Sequence, residues 1–361
     1  MSRVRGQAAR RSAAAGIDDH AKTTSVSERP DLERFGVAVG QATDAGGATG
    51  LTVLRGVNEP LRAGVAVVGH ATGSRELLAV SPDHLVDGRV DAVMLTGGSA
   101  YGLDAAAGVM RWMEERGRGF KVGPGVVPIV PAAVVFDLAP LGKFEARPTA
   151  DMAYAATDSA RTSEIAEGSV GAGTGATVGK IGGPSLAMKG GVGLAVHGDP
   201  NSGVAAFALA VVNAFGDVRD ANGRIIAGAR REGGGQGGGF LDTSAVLSRA
   251  STKAAALLEQ LALRNTTLAI VGVNRAMSST ELTALARAAT AAFFRRISPC
   301  GTAFDGDIVF AVAPVTGDPL DAPPAAAGVM AALALERALE RAVVLAKGRE
   351  GIPGIADTNG H

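Results

Sequence analysis

The residues best placed for chemistry sit where a polar segment turns into an apolar one. Asn265-Thr266-Thr267 opens NTTLAIVGVN (265–274), and the unbroken apolar run across Thr266–Val273 predicts a buried strand. Ahead of it lie a polar, alanine-rich stretch ending at Arg264 and the glycine cluster REGGGQGGGF (231–240), which reads as a flexible linker. A flexible segment feeding a buried strand that starts with Thr is what an internally exposed N-terminal nucleophile requires. Thr266 Oγ would attack the carbonyl carbon of Asn265 and take the acyl group from nitrogen to oxygen, and water would release the ester. The freed α-amino group, with an ordinary pKa of about 7.7–8.0, then serves as base for the hydroxyl of the same residue. No histidine is needed.

Four further places carry polar groups in apolar surroundings. GAGTGATVGK (171–180) looks like a phosphate loop, but only three residues separate Gly175 from Gly179, and Ile181 follows Lys180 where a Walker loop needs Ser or Thr. Its glycines instead mark a backbone that passes close to another segment, and Lys180 lies either on the surface or with its ammonium turned into a site. Asn213 interrupts the core-like run ALAVVNAF (208–215); a buried amide must be hydrogen-bonded, so it either holds a neighbouring loop or donates to a developing oxyanion. Asp305-Gly306-Asp307 sets two carboxylates two residues apart before a strand, hence on one face; the readings are a turn with solvated acids or a weak cation site. Gly97-Gly98-Ser99-Ala100-Tyr101 follows a strand as a nucleophile elbow does, but Tyr101 stands where the second glycine belongs, which favours a close-fitting helix start.

These groups need a scaffold. FGVAVG, GLTVLRG and RAGVAVVG predict strands between residues 35 and 69, and VDAVMLTGGSAYGLDAAAGVMRWMEER (90–116) reads as strand, glycine turn and amphipathic helix. Further strands are expected near Ala132–Phe136, Gly191–His197, Val204–Asn213 and in DIVFAVAP (307–314). Ser278 and Glu281 have capping-box spacing and open a helix through about Arg296, and a long Ala/Leu helix covers about 325–346. Strands and helices in blocks, without strict alternation, favour stacked sheets covered by helices.

Composition narrows the function. The 361 residues carry 35 Lys+Arg against 35 Asp+Glu, so a nucleic-acid partner is not expected. With 51 glycines and 4% aromatics, the core must be built largely from small side chains. Cys300 is the only cysteine, which excludes an intrachain disulfide, fits a cytoplasmic location, and reads as a small buried hydrophobe. The five histidines show no metal-ligand spacing, so neither a metal nor a cofactor is expected. Residues 1–34 carry Arg3, Arg5, Arg10 and Arg11 without an apolar segment and read as a polar tail rather than a secretory signal. No stretch reaches the roughly 18 apolar residues of a membrane span.

Taken together, GGSAYGLDAAAG (97–108), GAGTGATVGK (171–180), Asn213, NTT (265–267) followed by Asn274, Met277 and Ser278, and DGD (305–307) before IVFAV resemble one family. It is the self-cleaving family that contains nylon-oligomer (6-aminohexanoate-oligomer) hydrolase and the D- and β-aminopeptidases, and the resemblance covers about residues 35–345. The Asn-Thr junction is similar to the nylon-oligomer hydrolase branch; the aminopeptidase branch cleaves before serine. The resemblance implies an α/β fold of the N-terminal-nucleophile type, a four-layer α-β-β-α sandwich formed by a single hydrolase domain over 35–361. It also implies self-cleavage at 265/266 into fragments 1–265 and 266–361, which stay together, and a homotetramer of such cleaved heterodimers.

Carried over by position, Thr266 is the nucleophile and Lys180 lies beside it, Asn213 donates to the oxyanion, and Asp305 and Asp307 position the nucleophile and assist proton transfer. Phe136 departs from the pattern, since several members carry Tyr near that position. The implied substrate is a small linear amide, a 6-aminohexanoate oligomer or a short peptide. An aminopeptidase for D- or β-amino-acid N-termini, an acyl transferase of the ornithine acetyltransferase kind, and an uncleaved non-catalytic binding protein are the alternatives.

Overall fold

The computed structural model describes residues 30–232, 239–249, 265–303 and 305–358. In chain order its main elements begin with β1 (Val37–Asp44), β2 (Thr49–Gly56), β3 (Leu61–Val67) and β4 (Ala92–Thr96). There follow α1 (Ala106–Glu114), β5 (Ala132–Val134), α2 (Ala150–Asp158), β6 (Gly191–Gly198) and β7 (Ala205–Asn213). Beyond the linker region come β8 (Thr266–Val273), α3 (Ser279–Ala289), α4 (Ala291–Arg296), β9 (Ile308–Pro314) and α5 (Pro324–Val344).

Two sheets result. The first runs β1-β2-β4-β5 and ends on Ser74–Arg75; the second runs β6-β7-β8-β9-β3 and ends on Arg89–Val90. Leu54, Val93 and Leu95 of the first, with Phe35 just ahead of β1, meet Phe207, Leu209, Ile270 and Phe310 of the second in a core between the sheets, where Phe35 and Phe207 pack edge to face. The outer face of the first sheet is covered by α1 and α2 through Leu51, Met94, Val109 and Trp112. That of the second is covered by α3 and α5. This is the expected four-layer α-β-β-α sandwich.

Residue size is sorted by layer. Along β7, Phe207, Leu209 and Val211 face the other sheet, while Ala206, Ala208 and Ala210 face the helices. The side chains that α5 buries in this layer likewise include Ala327, Ala331, Ala334, Ala338 and Ala342, beside Leu335, Leu339 and Val343. Small residues on both partners let the helix lie close to the strands. At Gly193 of β6 an added Cβ would sit 2.0 Å from the carbonyl oxygen of Ala338. The glycine- and alanine-rich composition is therefore a packing requirement of this layer.

Local signals behave as the sequence suggests at most element ends. Ser278 caps α3 with the full reciprocal box, its N–H bonded to Glu281 Oε2 at 2.8 Å. The helix expected through Arg296 is instead two, α3 and α4, meeting at Thr290, whose hydroxyl donates to the carbonyl of Arg287 and competes with the helical ladder. Leu32, within the stretch read as a tail, is fully buried, and its N–H donates to the carbonyl of Thr162. Residues 1–29, most of the glycine cluster and the alanine-rich stretch before Asn265 lie outside the described residues. Among the described residues no helix is long and apolar enough to cross a membrane.

The close approach of α5 to β6 gives a direct test. Gly193→Ala is expected to destabilise the protein by about 1–3 kcal/mol through overpacking, read as a lower thermal midpoint. Gly125→Ala, where an added Cβ meets nothing within 4 Å, should leave it unchanged.

Candidate active site

The second sheet brings the expected site residues together through its pairing. β8 is antiparallel to β7 and parallel to β9. The antiparallel register sets Asn213, the last residue of β7, opposite Thr266, the first of β8. The parallel register sets the start of β9 beside the start of β8, so that Asn265 and Asp305 bridge. Three strand ends thus converge, and with them Asn265, Thr266, Asn213, Asp305 and Asp307. All five are buried; Thr266 is 5% exposed.

Thr266 Oγ1 donates to the carbonyl oxygen of Asn265 at 2.6 Å, and the backbone N–H of Gly306 donates to the same oxygen at 3.1 Å. The bond between Asn265 and Thr266 therefore has a hydroxyl against it and a backbone donor on its oxygen. Gly306 comes so close that an added Cβ would lie 2.8 Å from Thr266 Oγ1. The two acids on either side are buried rather than solvated. Asp307 Oδ1 accepts the N–H of Thr267 at 2.6 Å, and its Oδ2 accepts from Gly301 N–H and from the thiol of Cys300, each at 3.3 Å. Asp305 Oδ2 accepts the N–H of Thr302 at 2.8 Å. Cys300 is thus a donor to a buried carboxylate rather than an inert filler, and that contact together with burial pushes its thiol up. Burial raises Asp305, and burial with the adjacent Asp305 charge pushes Asp307 up to about 7.

Lys180 and Asn213 form the other side. The carboxamide oxygen of Asn213 accepts from Lys180 Nζ at 2.9 Å and from Thr177 N–H at 3.1 Å, and its nitrogen donates to the carbonyl of Phe136 at 3.0 Å. Lys180 Nζ also donates to the backbone carbonyl of Asn213 at 2.9 Å. Lys180 is buried and turned inward, bonded to Asn213 one strand over from Thr266, and its charge also acts on Asp305. The loop glycines do mark close approaches. At Gly179 the backbone is left-handed, and an added Cβ would fall 2.0 Å from Ala229 N.

Over Thr266 lies a cleft of 250 Å³ lined by Ala71, Thr72, Gly73, Ser99, Ala100, Val134, Phe136, Asn265 and Thr266. Ser99 enters from the glycine turn, which holds Gly98 and Ser99 in left-handed conformation ahead of the short 3-10 turn Ser99–Ala105. Phe136 stands in the wall, so the side chain that departs from the family pattern is at the site. Sequence reading missed the N–H of Gly306, the Cys300–Asp307 contact, and two buried charges behind the wall, Asp137 and Lys189. The last two had a signal: each is a lone charge in an apolar run, AAVVFDL and LAMKGGVG. Among the described residues no group of three or more His, Cys, Asp or Glu side chains could hold a metal.

Comparison with known proteins shows the family and the fold. Residues 34–355 match peptidase family S58. An uncharacterized aminopeptidase of Mycobacterium tuberculosis (strain H37Rv) is 41% identical over 308 residues, covering 83% of this chain and 82% of that protein. A 6-aminohexanoate-oligomer endohydrolase of Kocuria sp. (strain KY2) is 31% identical over 297 residues, covering 80% and 75%. Among solved structures, the L-aminopeptidase D-Ala-esterase/amidase of Ochrobactrum anthropi, described as a variant of the Ntn hydrolase fold, superposes with a TM-score of 0.63. It shares 19% identity and covers 88% of this chain and 86% of that one, which supports the fold.

The raised Asp307 makes stability depend on pH with a definite sign. Between its ordinary value of 3.8 and about 7 the folded chain keeps a proton that the unfolded chain gives up, so this group's contribution to stability falls as pH rises. In a Thr266→Ala background, the thermal midpoint should drop more between pH 5 and pH 8 with Asp307 present than with Asp307→Asn. Equal slopes would contradict the assignment.

Proposed function

This chain belongs to peptidase family S58 and is a hydrolase, and on that premise we propose that it is a self-processing amide hydrolase with Thr266 as its nucleophile. The observation that carries this is the contact of Thr266 Oγ1 with the carbonyl of Asn265 at 2.6 Å, backed by the N–H of Gly306 on the same oxygen. Oγ1 needs only to turn from the carbonyl oxygen to its carbon to begin the acyl shift. As the hydroxyl adds, negative charge grows on an oxygen that already has a backbone donor, and preorganised donors of this kind lower the barrier most. The C–N bond breaks, the nitrogen of Thr266 leaves as an amine, and water then hydrolyses the ester, which leaves a carboxylate on Asn265 and the amine on Thr266.

In turnover the same parts act on a substrate carbonyl. The Thr266 amine takes the hydroxyl proton, Oγ1 forms the acyl-enzyme, and the proton passes to the leaving amine. Asn213 supports the oxyanion, Lys180 fixes the carboxamide oxygen of Asn213, and Asp305 and Asp307 hold the start of β8 while a carboxyl of the pair moves protons. Asp307 suits that task, because its value near 7 lets it both take and give a proton at neutral pH.

The proposed substrates are small linear amides, 6-aminohexanoate oligomers or short peptides. None of the side chains lining the cleft carries a charge before self-cleavage, and hydrolysis of the Asn265–Thr266 bond would add the Asn265 carboxylate to it. The second reading, an aminopeptidase for D- or β-amino-acid N-termini, is favoured by the name of the 41%-identical relative. Assembly as a homotetramer of cleaved heterodimers, in the cytoplasm, completes the proposal by family resemblance.

Thr266→Ala is expected to lower hydrolysis of linear 6-aminohexanoate oligomers by at least about 10³-fold, while equal turnover by that variant would end the nucleophile assignment. Blocking the substrate amine by acetylation separates the two substrate readings. Retained turnover supports the linear-amide hydrolase, and its loss alongside turnover of D-alanyl or β-alanyl anilides supports the aminopeptidase. Gly306→Ala, which crowds Oγ1, should slow both self-cleavage and turnover by about 10–100-fold, or roughly 1.4–2.8 kcal/mol of barrier.

A further inference from the structure

Among the buried ionisable side chains that take no part in the chemistry above, Asp137 and Lys189 lie nearest in the chain to groups that hold Asn213. Asp137 has no exposed surface; its Oδ2 accepts from Thr49 Oγ1 and its Oδ1 from the N–H of Gly98, each at 2.7 Å. Lys189 is 1% exposed, and its Nζ donates to the carbonyls of Gly173 at 3.1 Å, Ala176 at 2.6 Å and Gly190 at 3.0 Å. The two attract each other electrostatically. Burying both charges is expensive, and apolar side chains of similar volume would fill the space without that penalty.

What the pair holds indicates why it is kept. Ala176, whose carbonyl Lys189 binds, is followed by Thr177, whose N–H donates to the carboxamide oxygen of Asn213. Asp137 follows Phe136, whose carbonyl receives the carboxamide nitrogen of Asn213. The two ends of that carboxamide are thus fixed by backbone groups next to Asp137 itself and next to the residue whose carbonyl Lys189 binds. A carboxamide turned over by 180° would set its NH₂ against the N–H of Thr177 and the ammonium of Lys180, so this grip also selects which end faces which partner. Glycines make the space that Asp137 occupies: a Cβ added at Gly97 would meet its Oδ2 at 2.1 Å, and one added at Gly175 would meet its Cβ at 2.8 Å.

We propose that Asp137 and Lys189 form a buried positioning pair that fixes the carboxamide of Asn213, the residue paired with Thr266, for both self-cleavage and turnover. The inference rests on the Thr266 reading and adds two residues that touch no substrate. Burial pushes Lys189 down to about 7 and Asp137 up to about 6, and the attraction between the two opposes both shifts.

A double-mutant cycle between Lys189→Met and Asn213→Ala tests this in the full chain, with self-cleavage rate, kcat and KM for a linear amide as readouts. Acting through Asn213, Lys189→Met should lower kcat and the cleavage rate by about 10-fold or more with KM changed less than about 2-fold. Adding it to Asn213→Ala should then cost little further, because the two changes remove one function. A merely structural role would instead multiply the two losses. If Lys189→Met does not fold, Asp137→Asn, which keeps the shape of the side chain, takes its place in the same cycle. Multiplicative losses, or wild-type turnover by the charge-neutral variant, overturn the inference while leaving Thr266 in place. An inert, uncut wild-type chain overturns the Thr266 reading and this role with it.

Discussion

The structure turns on the register of one strand. β8 is antiparallel to β7 on one side and parallel to β9 on the other, and both pairings are counted from its first residue. Thr266 therefore sits beside Asn213 and beside the Asp305–Asp307 turn at the same time. A slip of one residue would turn Thr266 to the opposite face of the sheet and carry it away from the N–H of Gly306. The buried runs Leu268–Val273 and Ile308–Ala313 specify this register strongly, because both faces of the sheet are covered and any slip would exchange large inter-sheet residues for small helix-facing ones.

That sorting of sizes links the composition to the chemistry. Large side chains fill the space between the sheets, while alanine and glycine let α5 close over the outer face. The same use of small residues recurs at the site. Gly306 lets a backbone donor approach the Asn265 carbonyl beside a crowded hydroxyl, and Gly97 and Gly175 wrap a buried carboxylate. A chain rich in larger residues could form similar sheets, but it could not bring backbone N–H groups and buried charges this close to a threonine hydroxyl.

Much of this was legible in the sequence and some was not, for physical reasons. The strand Thr266–Val273, the Ser278–Glu281 box and the extent of the C-terminal helix follow from local periodicity and capping, which act within a few residues. The glycines of GAGTGATVGK announce close approaches but not their partners, which are Val192 for Gly173, Ala48 and Asp137 for Gly175, and Gly228 and Ala229 for Gly179. Lys180 could be marked as a residue turned inward, yet its contact with Asn213 depends on a loop folding back on a strand 33 residues later. Asp305 and Asp307 read equally well as solvated turn acids until the parallel pairing buries them. Asp137 and Lys189 were visible only as charges out of place, since no local rule says what a buried charge is for. Cys300 reads as a hydrophobe by residue type; its contact with Asp307 comes from tertiary placement.

The central claim is that Thr266 becomes an N-terminal residue by cutting its own peptide bond. The direct measurement is the intact mass of freshly purified wild-type protein under denaturing conditions, together with the sequence of each amino terminus. The account predicts two polypeptides, residues 1–265 and 266–361 of the 361-residue chain, the second beginning with Thr266. A single uncut chain that nevertheless hydrolyses linear amides would contradict it.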